Sequence, residues 1–176
     1  GLSGNANRPQ LLRDISTKDD PRIDMHDEEL NRVLGGGLVP GSIVLLGGEP
    51  GIGKSTLTLQ TILNMPQRRI LYISGEESAH QLKMRANRLA GEESQMCQIL
   101  CETSLENIFE QVRDIMPEII IIDSIQAIYT EDADSSPGSV TQVRECASAL
   151  LRFAKSSGIP VILIGHINKE GTLAGP

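Results

Sequence analysis

Gly48-Glu-Pro-Gly-Ile-Gly-Lys-Ser55 is the stretch of this 176-residue chain that decides its fold. It matches the pattern Gly-x-x-x-x-Gly-Lys-Ser, in which glycines let successive backbone N–H groups converge on phosphate oxygens. An apolar run, Ile43 to Leu46, precedes it, and an amphipathic stretch, Ser55 to Met65, follows it. Strand, glycine-rich loop and helix in this order predict a phosphate-binding P-loop rather than an ordinary strand-to-helix turn.

The positions of this loop have separate predicted tasks. Lys54 is expected to reach the β- and γ-phosphates of a nucleotide and to act in catalysis, and the Ser55 hydroxyl is expected to ligate Mg²⁺. The loop as a whole is expected to surround the phosphates. The predicted nucleotide-binding residues are Gly48, Glu49, Pro50, Gly51, Ile52, Gly53, Lys54, Ser55 and Thr56.

Predicted strands and helices alternate along the rest of the chain. Further segments that are wholly or mostly apolar predict strands at Ile70 to Ile73, Cys97 to Cys101, Ile119 to Ile122 and Val161 to Ile164. Capping pairs predict helix starts at Ser78 with Gln81 and at Thr103 with Glu106, and Gly158 is expected to end the longest helix. This alternation predicts an α/β fold with a central, mostly parallel sheet and helices on both faces. Ligands of such sheets bind beyond the carboxyl ends of the strands.

Polar residues that follow three of these strands are candidates for the chemistry. Asp123 is expected to hold Mg²⁺ through water, although an acid at a strand end is also common in plain turns. Glu76 is predicted to deprotonate the attacking water, with the adjacent Glu77 as the alternative; both acids could instead favour the positive end of the next helix. His166 is predicted to contact the γ-phosphate, the alternative being an exposed side chain.

The charge and the apolar pattern of the chain limit its function class. Sixteen basic against 23 acidic residues give a net charge of −7, which argues against a strongly basic nucleic-acid-binding surface but leaves room for a local patch. The longest uninterrupted apolar runs have four residues, too few to span a membrane. Three cysteines without a Cys-x-x-Cys pair argue against disulfides or a four-cysteine zinc site, so a cytoplasmic location is expected.

Six segments from Leu30 to the C-terminus carry a more specific pattern. They are Leu30-Asn-Arg-Val-Leu-Gly-Gly-Gly-Leu-Val-Pro-Gly-Ser42, Gly47-Gly-Glu-Pro-Gly-Ile-Gly-Lys-Ser-Thr56, Tyr72-Ile-Ser-Gly-Glu-Glu-Ser78, Ile122-Asp-Ser-Ile-Gln126, Ser136-Pro-Gly-Ser-Val-Thr-Gln-Val-Arg-Glu145 and Gly165-His-Ile-Asn-Lys-Glu-Gly-Thr-Leu-Ala-Gly-Pro176. Together they resemble the ATPase core of the RadA (Sms) family of bacterial DNA repair proteins, within the RecA and replicative-helicase superfamily.

The resemblance implies a RecA-like P-loop NTPase core at residues 21–176, after a polar segment at 1–20 that we expect to be partly left over from cloning. It assigns Glu76 as the catalytic glutamate, Asp123 to the second magnesium motif and His166 to the γ-phosphate switch. It also implies a strand order, named by the first residue of each predicted strand: Cys97, Ile70, Ile119, Val161, Ile43.

The same resemblance implies a function for the whole protein. A hexameric ring is expected to hydrolyse ATP with Mg²⁺ and to act on single-stranded and branched DNA, promoting branch migration, with a recombinase as a further expected partner. The family's zinc ribbon, its Lys-Asn-Arg-Phe-Gly motif and its Lon-like domain have no counterpart in these residues, and Asn168 stands where Thr is more usual. We therefore expect a truncated core with impaired hydrolysis, since that motif is thought to supply cations to the neighbouring subunit.

The resemblance also implies where DNA would bind. It points to Thr130 to Ser139 and to the loop that begins at His166, with Arg144 and Lys169 as nearby cations. The acids Glu131, Asp132 and Asp134 would repel phosphates unless they turn outward. Lys83, Arg85 and Arg88 form another basic patch, which is better explained as a solvated helix face.

Two other functions remain compatible with the motifs. One is a regulatory ATPase of the KaiC type that does not act on DNA. The other is a phosphotransferase with a small acceptor, in which Asp123 or Glu76 would activate a hydroxyl.

Overall fold

The computed structural model describes residues 8–16, 22–48, 59–65, 67–89 and 96–166. Its strands are β1 (Ile43–Gly48), β2 (Ile70–Ser74), β3 (Cys97–Cys101), β4 (Ile119–Asp123) and β5 (Val161–His166). Its helices are α1 (Glu28–Val33), α2 (Ala79–Arg88), α3 (Leu105–Ile115) and α4 (Val140–Ser157), with residues 59–63 also helical and 3-10 turns at Leu12–Asp14 and Ile125–Ala127. No helix in these ranges is long and apolar enough to cross a membrane.

The five strands form one sheet in the order β1-β5-β4-β2-β3, and every neighbouring pair is parallel. This confirms the α/β fold and the strand order that the resemblance implied. β4 lies at the centre of the sheet, and its four isoleucines are at most 1% exposed. Because helices cover both faces of such a strand, its sequence is apolar throughout rather than alternating.

Successive strand residues point to two separate cores, one on each face of the sheet. The first face packs against α3 and α4 and contains Leu71, Ile73, Ile120, Ile122 and Leu163. The second face packs against residues 59–65 and α2 and contains Ile70, Tyr72, Ile119, Ile121, Ile162 and Ile164. The alternation continues to the strand ends, so Ser74, Asp123 and His166 belong to the second face.

Four strands continue one or two residues beyond the apolar runs that predicted them. They end at Gly48, Ser74, Asp123 and His166 instead of at the last apolar residue. Ladder hydrogen bonds join backbone groups, so a strand can extend through a glycine or a polar residue where the core no longer needs an apolar side chain. Several candidate site residues therefore lie on the last residue of a strand rather than in the loop beyond it.

The ends of α2 and α4 confirm two of the predicted helix boundaries. Ser78 and Gln81 form the predicted capping box at the start of α2: the Gln81 N–H donates to Ser78 Oγ, and the Ser78 N–H donates to Gln81 Oε1. Gly158 follows α4 with a φ of +78°, a left-handed conformation that glycine adopts without a steric penalty. Both helix ends are determined by residues close by in the sequence, which is why they could be predicted.

The predicted start of α3 is wrong by one residue. The helix is capped by Ser104, whose Oγ accepts a hydrogen bond from the Asn107 N–H at 3.4 Å, and not by Thr103. Glu106 is not a capping partner. Its Oε1 accepts hydrogen bonds from the Glu131 N–H at 2.6 Å and from Thr130 Oγ1 at 3.2 Å. The Glu106 side chain thus contacts a loop more than 20 residues away along the chain instead of the start of the helix.

A short segment before β1 closes the second core. Ile23 and Leu38 exchange both backbone hydrogen bonds at 2.8 Å, and both side chains are buried together with Met25. Gly37 lies beside this bridge with a φ of +132°, and a Cβ there would be 2.6 Å from the Ile23 carbonyl oxygen. The bridge therefore requires glycine at position 37. This segment packs on the sheet face that carries the candidate site.

Candidate functional site

The carboxyl ends of four strands meet at one edge of the sheet, where a ligand of a parallel α/β fold is expected. Gly48 pairs with His166, and Ser74 pairs with Asp123. β5 lies between β1 and β4, and β2 lies on the other side of β4. The edge therefore has the order Gly48, His166, Asp123, Ser74.

The phosphate-binding sequence continues from Gly48 at this edge. Most of its predicted residues lie outside the described residues: Glu49, Pro50, Gly51, Ile52, Gly53, Lys54, Ser55 and Thr56. The helix that the sequence predicts after them is described from residue 59, and Leu59 and Ile62 are buried in the second core. The strand before the loop and the helical residues after it thus lie where the motif requires them.

Asp123 is oriented by a buried tyrosine. The Tyr72 hydroxyl donates a hydrogen bond of 2.6 Å to Asp123 Oδ2, and Tyr72 is 0% exposed. Burial, followed by the negative charge of Asp123, raises the pKa of Tyr72 well above its ordinary value, so the hydroxyl keeps its proton and remains a donor. We did not predict this residue from the sequence. Its position two residues before the end of β2, on the face that Asp123 shares, was the available signal.

The oxygen ligands at this edge fit Mg²⁺. Mg²⁺ is usually held by one or two carboxylates together with substrate phosphates, and Asp123 supplies a carboxylate at the end of the central strand. No group of three or more His, Cys, Asp or Glu side chains in the described ranges could hold a metal ion by itself.

The structure distinguishes the two adjacent acids after β2. The Glu77 carboxylate forms an ion pair with Arg85 of α2, and its backbone N–H and carbonyl both bond Ser74 Oγ, at 3.1 and 2.7 Å. Glu76 is exposed and lines an open pocket of about 350 Å³. Its carboxylate has no hydrogen-bond or ion-pair partner within the described part of the chain. Glu76 is thus available to water, whereas Glu77 stabilises the turn.

The turn that carries Glu76 is held against the turn that follows Asp123. The Gly75 N–H donates to the Asp123 carbonyl oxygen at 2.9 Å. A Cβ on Gly75 would lie 2.5 Å from the Ala127 Cβ, which is closer than two carbon atoms can approach. Glycine at position 75 therefore permits a contact that fixes the distance between Glu76 and Asp123.

His166 is the last residue of β5 and is half-buried. Its backbone N–H and carbonyl are both bonded by the side-chain amide of Gln126, each at 3.2 Å. The sequence indicated no role for Gln126, because its contact joins residues 40 positions apart. Asn168 and Lys169 lie outside the described residues.

The loop expected to face DNA is fixed by a buried glutamine. Gln142, 2% exposed, accepts a hydrogen bond from the Thr130 N–H and donates to the carbonyls of Thr130, Ala133 and Ser135 at 2.9 to 3.1 Å. The acids of the loop, Glu131, Asp132 and Asp134, are exposed. This loop thus presents negative charge in a fixed conformation.

The predicted cations of the described residues lie on two helices. Arg144 is exposed on α4, and Lys83 and Arg88 are exposed on α2. Arg85, the third member of the predicted patch, pairs with Glu77. One of the three cations of this patch is therefore paired with an acid of the same chain.

Comparison with known proteins supports a specific family. The sequence pattern described as "AAA domain" matches residues 6–172. The chain is 48% identical to the DNA repair protein RadA of Halalkalibacterium halodurans over 171 residues, and 49% identical to that of Pseudomonas aeruginosa over 177 residues. These alignments cover 96% and 100% of this chain but 37% and 39% of the relatives, so the chain spans less than two fifths of their lengths.

The fold is also found in a solved structure. A KaiC-like protein from Pyrococcus horikoshii OT3 superposes with a TM-score of 0.70 at 22% identity, covering 88% of this chain and 74% of that chain. At this identity the similarity supports the α/β P-loop fold and no particular activity. The relatives and this structure together confirm the resemblance to RadA proteins and the RecA-like fold.

Proposed function

This chain belongs to the AAA domain family, and we propose that it binds ATP with Mg²⁺ and hydrolyses it to ADP and phosphate. One observation carries the proposal: Gly48, Asp123 and the Glu76 turn converge at one edge of the sheet. Phosphoryl transfer requires a phosphate-binding loop, a carboxylate for the metal and a residue that orients the nucleophile. The sequence and the strand register together supply all three.

Binding is proposed for the loop at residues 48–56. Its backbone N–H groups surround the phosphates, Lys54 contacts the β- and γ-phosphates, and Ser55 and Asp123 hold Mg²⁺. When bound, Mg²⁺ neutralises charge that develops on the phosphate oxygens during transfer. Tyr72 keeps the Asp123 carboxylate in one orientation, so that less of the binding energy is lost in ordering it.

Hydrolysis is proposed to use Glu76 as the general base. Its carboxylate has no partner among the described residues and can accept a proton from the water that attacks the γ-phosphate. Glu77 is less suitable, because proton acceptance would break its ion pair with Arg85. His166, between the Asp123 strand and the strand that leads into the loop, is proposed to contact the γ-phosphate.

The proposed biological role rests on the named relatives. Because the similar proteins are DNA repair proteins, we infer that the full-length protein is a DNA-stimulated ATPase that acts on single-stranded and branched DNA in the cytoplasm. Branch migration, assembly into a hexameric ring and cooperation with a recombinase belong to this proposal. Reduced hydrolysis by the 176-residue chain alone stays a prediction.

The decisive experiment compares Glu76→Gln with Glu77→Gln in the full-length protein. Glu76→Gln should keep ADP affinity and lower steady-state phosphate release by about 10²- to 10⁴-fold, because an amide cannot accept the proton. Glu77→Gln is the matched control: it makes the same chemical change one residue away and should retain most of the activity. ADP affinity is measured by calorimetry, and phosphate release with and without single-stranded DNA.

Each alternative gives a different result in this assay. An active Glu76→Gln with an inactive Glu77→Gln would reverse the assignment of the two acids. Transfer of phosphate to a small molecule, instead of its release, would favour a phosphotransferase. Hydrolysis that DNA neither stimulates nor inhibits, together with no salt-sensitive DNA binding, would favour a regulatory ATPase.

A further inference from the structure

β5 continues for two residues beyond Ile164, its last residue that pairs with β4. The last β4 pair is Asp123 with Ile164, whereas on the other side of β5 the pairing with β1 continues to Gly48 with His166. In a parallel sheet, the N–H and the carbonyl of one residue both point to the same neighbouring strand. His166 therefore directs both groups to a position where β4 has already ended.

Gln126 occupies that position. Its Nε2 donates to the His166 carbonyl oxygen and its Oε1 accepts from the His166 N–H, both at 3.2 Å. A primary amide carries one donor side and one acceptor side, as a peptide group does, so a single glutamine replaces the missing strand residue. Gln126 lies in the 3-10 turn directly after Asp123 and Ser124.

This contact joins parts of the candidate site that come from separate segments. Gln126 bonds the end of β5, and the adjacent Ala127 contacts Gly75 beside Glu76. His166, in turn, pairs with Gly48, where the phosphate-binding sequence begins. The turn after Asp123 thus contacts both the end of β5 and the turn that carries Glu76.

We propose that Gln126 is a positioning residue that fixes the end of β5, and with it His166, relative to Asp123 and Glu76 during ATP hydrolysis. The inference rests on the proposed function, because it assigns a role within the same site. Gln126 acts through the backbone of His166, so its loss should affect the chemical step more than nucleotide binding. A displacement of about 1 Å at a reacting group can lower a rate by about 10²-fold.

The test uses two variants of Gln126 and one control in the full-length protein. Gln126→Glu keeps the size but sets a second acceptor oxygen against the His166 carbonyl oxygen, and Gln126→Met removes both hydrogen bonds. Gln98→Glu is the control: it makes the same change on an exposed position of β3. The measurements are kcat and KM for ATP, ADP affinity, thermal stability, and hydrogen exchange of peptides that cover the end of β5.

Both Gln126 variants should lower kcat by about 10- to 100-fold, with KM and ADP affinity within about 3-fold of the wild type. Amide exchange at the end of β5 should become faster in both variants, and Gln98→Glu should change neither quantity. A kcat within about 2-fold of the wild type would overturn the proposal. So would equal losses of kcat, ADP affinity and thermal stability, since these would indicate a purely structural role.

The exchange measurement separates this inference from the proposed function. If the wild-type protein releases no phosphate, the proposed ATPase activity fails. Exchange at the end of β5 still tests the contact in that case, and unchanged exchange in both Gln126 variants would overturn the positioning role independently.

Discussion

Strand β4 has a carboxylate at each end, and the two are held in different ways. Glu118, directly before the strand, forms ion pairs with Arg68 at 2.9 Å and Arg69 at 3.5 Å. Asp123, its last residue, accepts a hydrogen bond from the neutral hydroxyl of Tyr72. Guanidinium groups neutralise a carboxylate, whereas a neutral donor orients it and leaves its charge in place. The Arg68 and Arg69 contacts of Glu118 are thus ion pairs within the fold, whereas the Tyr72 contact of Asp123 is a hydrogen bond from an uncharged group.

The pKa shifts at the two ends have different causes. The hydrogen bond from Arg68 lowers the pKa of Glu118, so this carboxylate stays ionised. Burial and the Asp123 charge raise the pKa of Tyr72, so this hydroxyl stays protonated. The Glu118 carboxylate at the amino end of β4 thus faces two guanidinium groups, and Asp123 at the carboxyl end receives a hydrogen bond from a hydroxyl that keeps its proton.

The largest effect in this comparison is expected for Asp123→Asn. Asparagine keeps the shape and an oxygen that can accept from Tyr72, but it removes the charge that the metal requires. Mg²⁺-dependent phosphate release should fall by about 10²- to 10³-fold, the usual effect of removing one group that stabilises charge in the transition state. ADP affinity without Mg²⁺, measured by calorimetry, should stay near that of the wild type. Unchanged Mg²⁺-dependent activity would mean that Asp123 does not face the metal.

Much of the fold could be predicted from the sequence because it depends on local patterns. Apolar runs predicted all five strands, and Ile119 to Ile122 marked the central one, since a strand covered on both faces has no polar side. The strand ends were less accurate: Gly48 and His166 extend their strands through backbone bonds that side-chain polarity does not reveal. The strand order came from the family resemblance.

The candidate site was predicted only in part, because several of its contacts are long-range. Asp123 and Glu76 follow apolar runs and were predicted from that position. Tyr72 and Gln126 were missed, because they reach partners 51 and 40 residues away along the chain. The ion pair that distinguishes Glu77 from Glu76 could not be predicted, since only the packing of α2 brings Arg85 to Glu77.

Tyr72→Phe should give a smaller effect than Asp123→Asn. The variant removes one hydrogen bond to Asp123, the proposed metal ligand, and keeps the buried ring. The loss of such a supporting contact typically costs about 10- to 100-fold in metal affinity or activity. The Mg²⁺ concentration for half-maximal hydrolysis should therefore rise by about 10-fold. Tyr129→Phe is the matched control, because it removes the hydroxyl of the chain's other tyrosine.

The double variant Tyr72→Phe with Asp123→Asn sharpens this test. If Tyr72 acts by orienting the Asp123 carboxylate, its removal should add little once the carboxylate is gone. Independent effects of the two changes on Mg²⁺ dependence would contradict the role assigned to the hydroxyl.

The smallest effect is expected at the other end of β4, for Glu118→Gln. Because the Glu118 and arginine side chains are partly exposed, the free energy of unfolding at neutral pH should fall by less than about 1 kcal/mol. Phosphate release should not change. Glu110→Gln, the same substitution on an exposed position of α3, is the control. A loss of Mg²⁺-dependent activity in Glu118→Gln as large as that in Tyr72→Phe would remove the distinction between the two ends of the strand.

The pH dependence of this small effect has a defined sign. The pKa of Glu118 is lower in the folded protein than in the unfolded chain, so its ionised form stabilises the fold at pH values above its unfolded pKa. That contribution disappears as the pH falls through the lowered pKa, where the folded protein also binds the proton. The difference in unfolding free energy between the wild type and Glu118→Gln, measured by chemical denaturation, should therefore be largest near neutrality and vanish in acid. A difference that grew toward low pH would mean that the two arginines do not stabilise the ionised carboxylate.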